Sequence, residues 1–180
     1  MTGGNDGKII FWNQQFVMGK TIDISGMVKY QPGIRSLDYL DQSNMLLVGT
    51  KGSDIIEVNA VSGLKLNHLM NGHFEGNKQA ELWGCAVHPN KQQFATCGGD
   101  NTLRVWTATE MLAVSEQFTN DITACDWACS GAFIVVGDRC GFIHTVDAVS
   151  LLKLATANSS LANETHTKSW VEDVKIAPNS

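Results

Sequence analysis

A glycine-rich turn followed by a short apolar strand recurs four times along the chain, and this repetition constrains the fold more than any other feature. The four copies are Thr2–Trp12, Gly49–Val58, Thr96–Trp106 and Gly137–Val146. Their last residues are separated by 46, 48 and 40 residues. Repeats with a period of about 20 to 50 residues are typical of solenoids and propellers, in which each unit packs on the next.

A second recurring element precedes three of these turns. It occupies Ile34–Tyr39, Leu82–Val87 and Ile122–Trp127, and a further copy opens at Val171–Ile176. Its apolar residues stand at the first, fourth and sixth positions, which fits a simple alternating strand poorly. The short length and the flanking turn residues still favour a strand over a helix. We interpret it as the first strand of each unit.

Two further apolar segments give each unit four short strands. The second strands are predicted at 45–48, 94–96 and 133–136, and the fourth strands at 64–69, 111–114 and 151–154. Four strands in roughly 40–45 residues match the blades of a β-propeller. A β-sandwich with coincidental spacing is the alternative. It explains less, because the first and third turns match closely residue by residue.

Residues 72–106 resemble a WD repeat, in which a Gly-His pair precedes the first strand and a tryptophan ends the third. The resemblance implies a buried hydrogen-bonded tetrad formed by His73, Thr96, Asp100 and Trp106. Indole, hydroxyl, imidazole and carboxylate groups can satisfy one another's hydrogen bonds. A catalytic Asp-His pair that activates Thr96 is the functional alternative. It is disfavoured because Thr96 is predicted to lie within a strand.

The other copies retain less of this pattern. The first copy keeps Thr2, Asp6 and Trp12, whereas valines replace the tryptophan at Val58 and Val146. The copies that end at Val58 and Val146 also lack the Gly-His pair. We therefore expect no comparable network in those two blades.

A narrower resemblance covers residues 72–180 well and residues 1–71 loosely. The run Gly72-His-Phe-Glu-Gly76, the tetrapeptide Glu81-Leu-Trp-Gly84 and the segment Ser169-Trp-Val-Glu-Asp-Val-Lys-Ile-Ala-Pro178 are similar to the echinoderm microtubule-associated protein-like family. Members of that family carry tandem propellers that bind tubulin or microtubules. The resemblance implies a cytoplasmic, cytoskeletal protein, with the cilium or axoneme as a narrower setting. An insertion at 77–80 departs from the family pattern.

The expected fold is all-β: a partial WD-repeat β-propeller with about four blades' worth of four-stranded antiparallel sheets. The predicted units are a partial blade at 1–24, blades at 34–70, 82–118 and 122–157, and the start of the next blade at 169–180. Propellers typically close with about four to eight blades. We therefore expect this chain to be a fragment that does not close the ring by itself, with the missing blades supplied by a longer chain or a second copy.

Composition argues against several other classes of protein. The chain has 13 Lys+Arg against 18 Asp+Glu, a formal net charge of −5, and its basic residues are dilute. An extended nucleic-acid or membrane-binding patch is therefore not expected. The glycine-rich turns are not followed by helices, and the histidines and cysteines lack zinc-site spacing, so we expect no cofactor and no metal. The five cysteines are expected to be free thiols, with Cys140 the most reactive.

Five side chains are candidates for contacts with a partner protein: Phe74, Trp83, Lys51, Arg139 and Trp170. Trp83 and Trp170 lie at the start of first-strand copies. There they either pack between blades or present aromatic surface at one face of the propeller. Phe74, which follows the Gly-His pair, has the same two interpretations. Lys51 and Arg139 lie in turns, where their charges suit contact with an acidic protein such as tubulin.

The function expected is a non-catalytic protein-interaction scaffold, with tubulin or microtubules as the partner that the resemblance implies. A general WD-repeat adaptor in another cytosolic or ciliary complex is the alternative. A propeller enzyme with a site in the central channel is a third interpretation, from another class. It would need acids, histidines or metal ligands on the inner strands, whereas Ser36, Gly84, Ala86 and Thr123 are small or neutral.

Overall fold

The computed structural model of the chain describes residues 1–69, 72–75, 78–158 and 170–177. In this part of the chain, short antiparallel strands form successive sheets, and each sheet is a meander of strands that are adjacent in sequence. The sheets follow one another as an open arc. The structure therefore confirms the expected all-β fold of a partial propeller whose ring is not closed.

The elements, in chain order, are β1 (Thr2–Gly3), β2 (Lys8–Trp12), β3 (Met18–Asp23), β4 (Ile34–Leu40), a 3-10 helix (Asp41–Ser43), β5 (Met45–Thr50), β6 (Ile55–Asn59), β7 (Lys65–Leu69), β8 (Phe74–Glu75), β9 (Lys78–Gln79), β10 (Leu82–Val87), β11 (Phe94–Gly98), β12 (Leu103–Trp106), β13 (Met111–Val114), β14 (Ile122–Trp127), β15 (Phe133–Asp138), β16 (Phe142–Asp147) and β17 (Lys153–Asn158). Blade 1 is the three-stranded sheet β1–β3, and blades 2, 3 and 4 are the four-stranded sheets β4–β7, β10–β13 and β14–β17. A small hairpin, β8–β9, lies between blades 2 and 3 in sequence.

Each first strand of blades 2 to 4 carries a β-bulge at its second residue. In β4, Ile34 pairs with Thr50 and Ser36 pairs with Gly49, which leaves Arg35 as the extra residue. Strands β10 and β14 have the same irregularity after their first residue. When the bulged residue is left out of the count, the apolar positions alternate as they do in a regular strand. The bulge thus explains the unusual spacing in the sequence.

The blades pack on one another through apolar faces of their strands. Blades 1 and 2 meet through residues that include Ile9, Ile22, Val48 and Ile56. Blades 2 and 3 meet through residues that include Leu47, Ile55, Phe94 and Trp106. Blades 3 and 4 meet through residues that include Cys97, Leu103, Ile122 and Val136. Glycines bring neighbouring blades together closely. A methyl group on Gly49 would lie 2.1 Å from Cδ2 of Leu82. The blade contacts are therefore as tightly packed as a protein core.

Residues 170–177 follow blade 4, and here the structure differs from the sequence prediction of a strand. Val171 and Val174 pack on Ala124, and the Val171 amide donates a hydrogen bond to the Asp138 carbonyl at 3.0 Å. Among the described residues, however, no ladder of backbone hydrogen bonds forms with this segment. A strand requires such a ladder. The rest of the predicted unit, Ser169 and residues 178–180, lies outside the described residues.

Candidate functional site

The four side chains of the predicted tetrad are hydrogen-bonded to one another within blade 3. The Trp106 indole donates to the Thr96 hydroxyl at 2.8 Å, and Thr96 Oγ1 lies 2.8 Å from His73 Nε2. His73 Nδ1 lies 2.7 Å from an Asp100 carboxylate oxygen. Since the hydroxyl accepts the indole proton, its own proton points at Nε2, and Nδ1 carries the proton that faces the carboxylate. A neutral His73 therefore satisfies every group in the network.

The charges around this network favour an ionised Asp100 and a neutral His73. Burial alone would raise the pKa of Asp100, but hydrogen bonds from His73 and Thr102 and the charge of Arg104 lower it to about 2. Arg104 Nη2 lies 2.7 Å from the carboxylate. Burial lowers the pKa of His73, although Asp100 opposes this effect. Thr96 is completely buried, so this arrangement stabilises a blade and offers its hydroxyl to no substrate.

Blades 2 and 4 contain buried polar networks that sequence reasoning missed. In blade 4, Asp138 accepts hydrogen bonds from Asn120 at 2.8 Å and from the Phe142 amide at 2.8 Å, and His144 Nε2 lies 3.3 Å away. In blade 2, Asp54 lies 2.9 Å from Nε2 of His68. These contacts do not repeat the tetrad, but they show that blades 2 and 4 also bury polar groups.

These networks use positions that differ from those of the tetrad. In blade 4 the aspartate is the last residue of the second strand, and the histidine lies in the third strand. The WD pattern places neither residue there. The sequence gives little signal, since Asp138 lies beyond the predicted second strand at 133–136, and only the observed register shows that it meets His144.

A second group of predicted residues meets at the end of the blades where the first strands begin. The guanidinium carbon of Arg139 lies 4.9 Å from the centre of the Trp83 ring and 4.6 Å from that of Trp170. Arg35 lies 5.4 Å from the Trp83 ring. Guanidinium groups at these distances from indole faces make favourable cation–π contacts. We refer to Arg35, Trp83, Arg139 and Trp170 as the tryptophan–arginine cluster.

Carboxylates hold the cations of this cluster in place. Arg35 donates to Glu81 at 2.8 Å, and Lys51 Nζ lies 3.9 Å from the other oxygen of the same carboxylate. Arg139 donates to Asp121 at 2.7 Å. Lys51 therefore joins the cluster through Glu81, as a predicted contact residue near its edge.

Phe74 lies apart from the cluster in the contacts that the structure describes. Its amide donates to Asp100 at 3.3 Å, and its backbone pairs with Gln79 in the β8–β9 hairpin. Of the five candidate contact residues, the structure thus brings together Trp83, Arg139 and Trp170, with Lys51 at the edge.

The bulges of the first strands create the opening that the cluster surrounds. A cavity of about 230 Å³ is lined by Ile34, Arg35, Trp83, Thr123, Arg139, Trp170 and Glu172. Arg35, Trp83 and Thr123 are the bulged second residues of β4, β10 and β14, and Glu172 is the second residue of the last copy. A bulge re-aims the side chain of its extra residue. Successive blades therefore direct one side chain each at a common opening.

Charged residues also lie at the fifth position of the first-strand copies, where sequence reasoning stressed small or neutral residues. Asp38 accepts a hydrogen bond from the Val87 amide of the next blade at 2.6 Å. Asp126 accepts one from the Ile176 amide at 2.7 Å, and Lys175 Nζ lies 3.2 Å from the same carboxylate. These carboxylates tie neighbouring units together.

Comparison with known proteins agrees with this architecture. Residues 65–107, which include the whole tetrad, match the family model described as "WD domain, G-beta repeat". A solved structure, the β-propeller domain of Myceliophteria thermophila Cps50 (Swd1), superposes with a TM-score of 0.71 at 17% sequence identity, and the match covers 98% of this chain and 55% of that one. The fold is a β-propeller, and residues 65–107 match a WD repeat. At this identity the superposition shows the fold alone.

The chain is also similar to curated proteins from mouse. It is 28% identical to echinoderm microtubule-associated protein-like 2 over 140 residues, which is 77% of this chain and 20% of that protein. It is 27% identical to echinoderm microtubule-associated protein-like 1 over 157 residues, which is 86% of this chain and 18% of that protein. The chain thus spans about a fifth of the length of these relatives. The resemblance predicted from the sequence is confirmed.

The described residues contain no helix long and apolar enough to cross a membrane.

Proposed function

We propose that this WD-repeat chain is a non-catalytic interaction scaffold that binds tubulin or microtubules through the tryptophan–arginine cluster. The observation that carries the proposal is the position of Arg139, whose guanidinium contacts two indole rings at an opening between blades. Tryptophan and arginine are the residue types that contribute most to binding energy in protein interfaces. The names of the curated relatives supply the partner class.

Charge supports an acidic partner at this face. The chain carries a net charge of −5, so an acidic protein such as tubulin would be repelled by most of its surface. Arg35, Lys51 and Arg139 balance the carboxylates of Glu81, Asp121 and Glu172 around one opening, so this face is close to neutral on an otherwise acidic chain. Trp170 is 54% exposed beside them. An acidic segment of the partner would lose bound water and form contacts with these cations and with the indole surface.

The proposed setting is cytoplasmic and cytoskeletal, with the cilium or axoneme as its narrower version. The partner could also be a protein of another complex, in which case the chain acts as a general adaptor. One measurement separates the two functions: whether the chain binds microtubules.

Co-sedimentation with microtubules tests the proposal, with Trp170→Ala as the informative variant. Trp12→Ala is the matched control, because Trp12 is 41% exposed and lies in blade 1, away from the cluster. The wild-type chain and Trp12→Ala should pellet with microtubules, and Trp170→Ala should bind at least about tenfold more weakly.

Two results would contradict the proposal. A wild-type chain that stays in the supernatant at all microtubule concentrations would favour the general adaptor. Equal binding by Trp170→Ala and Trp12→Ala would show that microtubules bind elsewhere on the chain.

A further inference from the structure

A second cavity, of about 470 Å³, opens between blades 2 and 3 at the end of the blades opposite to the tryptophan–arginine cluster. Its rim is formed by the β4–β5 turn, the β10–β11 turn and the turn that contains Ala108. Met45, Leu66 and Phe94 contribute apolar walls. Glu57 is the one carboxylate among the described residues that line it. The cavity has the size of a typical ligand pocket.

Glu57 occupies a position where the neighbouring blades have uncharged side chains. It is the residue before Val58 in β6, and its cross-strand neighbours are Leu47 and Asn67. In blade 3 the corresponding residue of the third strand is Val105, and in blade 4 it is Thr145. A carboxylate at this position faces blade 3, beside the apolar contact between the two blades.

The surroundings of Glu57 leave its charge without a cation. Asn67, the cross-strand neighbour of Glu57, donates to the Ala108 carbonyl, and the described residues form no ion pair with Glu57. Burial raises the pKa of this carboxyl group. Lys91 and His88 also line the cavity. Lys91 is exposed, and burial together with Lys91 lowers the pKa of His88, so that imidazole is neutral at neutral pH.

We propose that this cavity binds a lysine or arginine side chain of a partner protein, with the cation on Glu57 and the aliphatic stem against the apolar walls. Charge complementarity selects this occupant, because a largely buried carboxylate without an ion-pair partner gains most from a cation that also donates hydrogen bonds. The amides of Gln42, Gln92 and Gln93 line the same cavity and can bond to the remaining donors or to the partner backbone.

This site is independent of the proposed tubulin contact. It lies at the other end of the blades and selects the opposite charge. One propeller would therefore present an arginine-rich opening to an acidic segment and a carboxylate pocket to a basic one. The two sites can be disrupted separately.

Titration of the isotope-labelled chain, followed by amide chemical shifts, tests the pocket. The probe is a blocked peptide with a single arginine between glycines, and the comparison peptide has citrulline, which is uncharged, in its place. The arginine peptide should shift amides at 41–45, 57 and 88–93, and the citrulline peptide should not. Glu57→Gln should weaken binding by at least about tenfold. Glu116→Gln makes the same charge change at an exposed position of blade 3 and should bind as wild type does.

The variants and pH separate the role of Glu57 from that of its neighbours. Glu57→Val, which introduces the residue of the corresponding position in blade 3, is a second variant and should also abolish binding. Lys91→Gln should strengthen binding, since it removes a repelling cation. Affinity should fall as acid protonates Glu57, and this loss should be smaller in Glu57→Gln, where only His88 still titrates against the bound cation. Any of three results would overturn the proposal. The first is equal binding of the arginine and citrulline peptides, and the second is equal affinity of wild type and Glu57→Gln for the arginine peptide. The third is a set of amide shifts confined to the tryptophan–arginine cluster.

Discussion

His73 and Gly98 are in direct contact within blade 3, where a methyl group placed on Gly98 would lie 2.6 Å from Cγ of the imidazole. Gly98 is the last residue of β11 and directly precedes the turn that carries Asp100. The ring thus occupies the space that any larger side chain would fill. The tetrad depends on this glycine as well as on its four polar members.

Gly98→Ala should destabilise the chain by about 1–3 kcal/mol, because the added methyl group pushes His73 away from its two hydrogen-bond partners. Gly26→Ala is the control, since a methyl group there meets nothing within 4 Å. Chemical denaturation measures both. Similar free energies of unfolding for the two variants would contradict the close contact.

Trp106→Ala should cost about 3–5 kcal/mol in the free energy of unfolding, because it removes a buried ring and leaves the Thr96 network incomplete. Val58→Ala and Val146→Ala remove buried side chains at the ends of the corresponding segments, but each should cost less, since neither valine makes a side-chain hydrogen bond. Thermal and chemical unfolding provide the test. A Trp106→Ala chain within a few tenths of a kcal/mol of wild type would refute the structural role of the tetrad.

Acid should destabilise the chain in two stages. Burial lowers the pKa of His73 and His144 below the ordinary 6.5, so the unfolded chain binds these protons first and stability falls as the pH drops below that value. Asp100, with a folded-state pKa of about 2, adds a second loss as the pH falls below 3.8. Burial raises the pKa of Glu57, so the folded chain binds this proton first and protonation of Glu57 stabilises the fold as the pH falls. Unfolding measurements in a Glu57→Gln background remove this opposing contribution.

The imidazole nitrogen shifts of His73 provide a direct check on the first stage. At neutral pH they should be those of a neutral ring with the proton on Nδ1. An Nε2-protonated ring or a cation at that pH would contradict the direction of hydrogen bonding from Trp106 to Asp100.

The cysteines should alkylate in an order set by burial. Cys129 is exposed and Cys140 is half-buried, so Cys129 should react first, which changes the order expected from the sequence. Burial raises the pKa of the Cys85 thiol, and contact with Cys97 together with burial raises that of Cys125. Mass-mapped alkylation of the folded chain tests this order. Fast reaction of any of the three buried thiols would show that the blade contacts open.

The blade pattern could be predicted from the sequence because it rests on repeat spacing, and the tetrad could be predicted because one copy resembles a WD repeat. The resemblance to a WD repeat supplied His73, Thr96, Asp100 and Trp106, and the structure places Thr96 and Trp106 on adjacent strands with Asp100 in the turn between them. The bulge was visible only as an anomaly in the apolar spacing of the first strands. Its consequence, the shared opening around Arg139, required the register of three sheets.

Other features depend on contacts between units that sequence spacing does not record. The Asp38 carboxylate bonds to a backbone amide 49 residues away in the next blade, and nothing in the local sequence marks that partner. The fourth strand of blade 4 begins at Lys153 and not at Leu151, because Leu151 has a left-handed φ of 54° and turns into the core. The sequence marks Glu57 only as a residue of a predicted strand, and only the strand register shows that it faces blade 3.

The Asp38 bond has a consequence for how the arc responds to temperature. Asp38 ties blade 2 to blade 3, and Asp126 ties blade 4 to the segment that follows it, but Ala86 stands at the same position in blade 3 and makes no such bond to blade 4. Blades 3 and 4 therefore rely more on apolar packing, which weakens on cooling. Chilling should therefore loosen the boundary between blades 3 and 4 before the one between blades 2 and 3, so neighbouring blade contacts differ in cold stability.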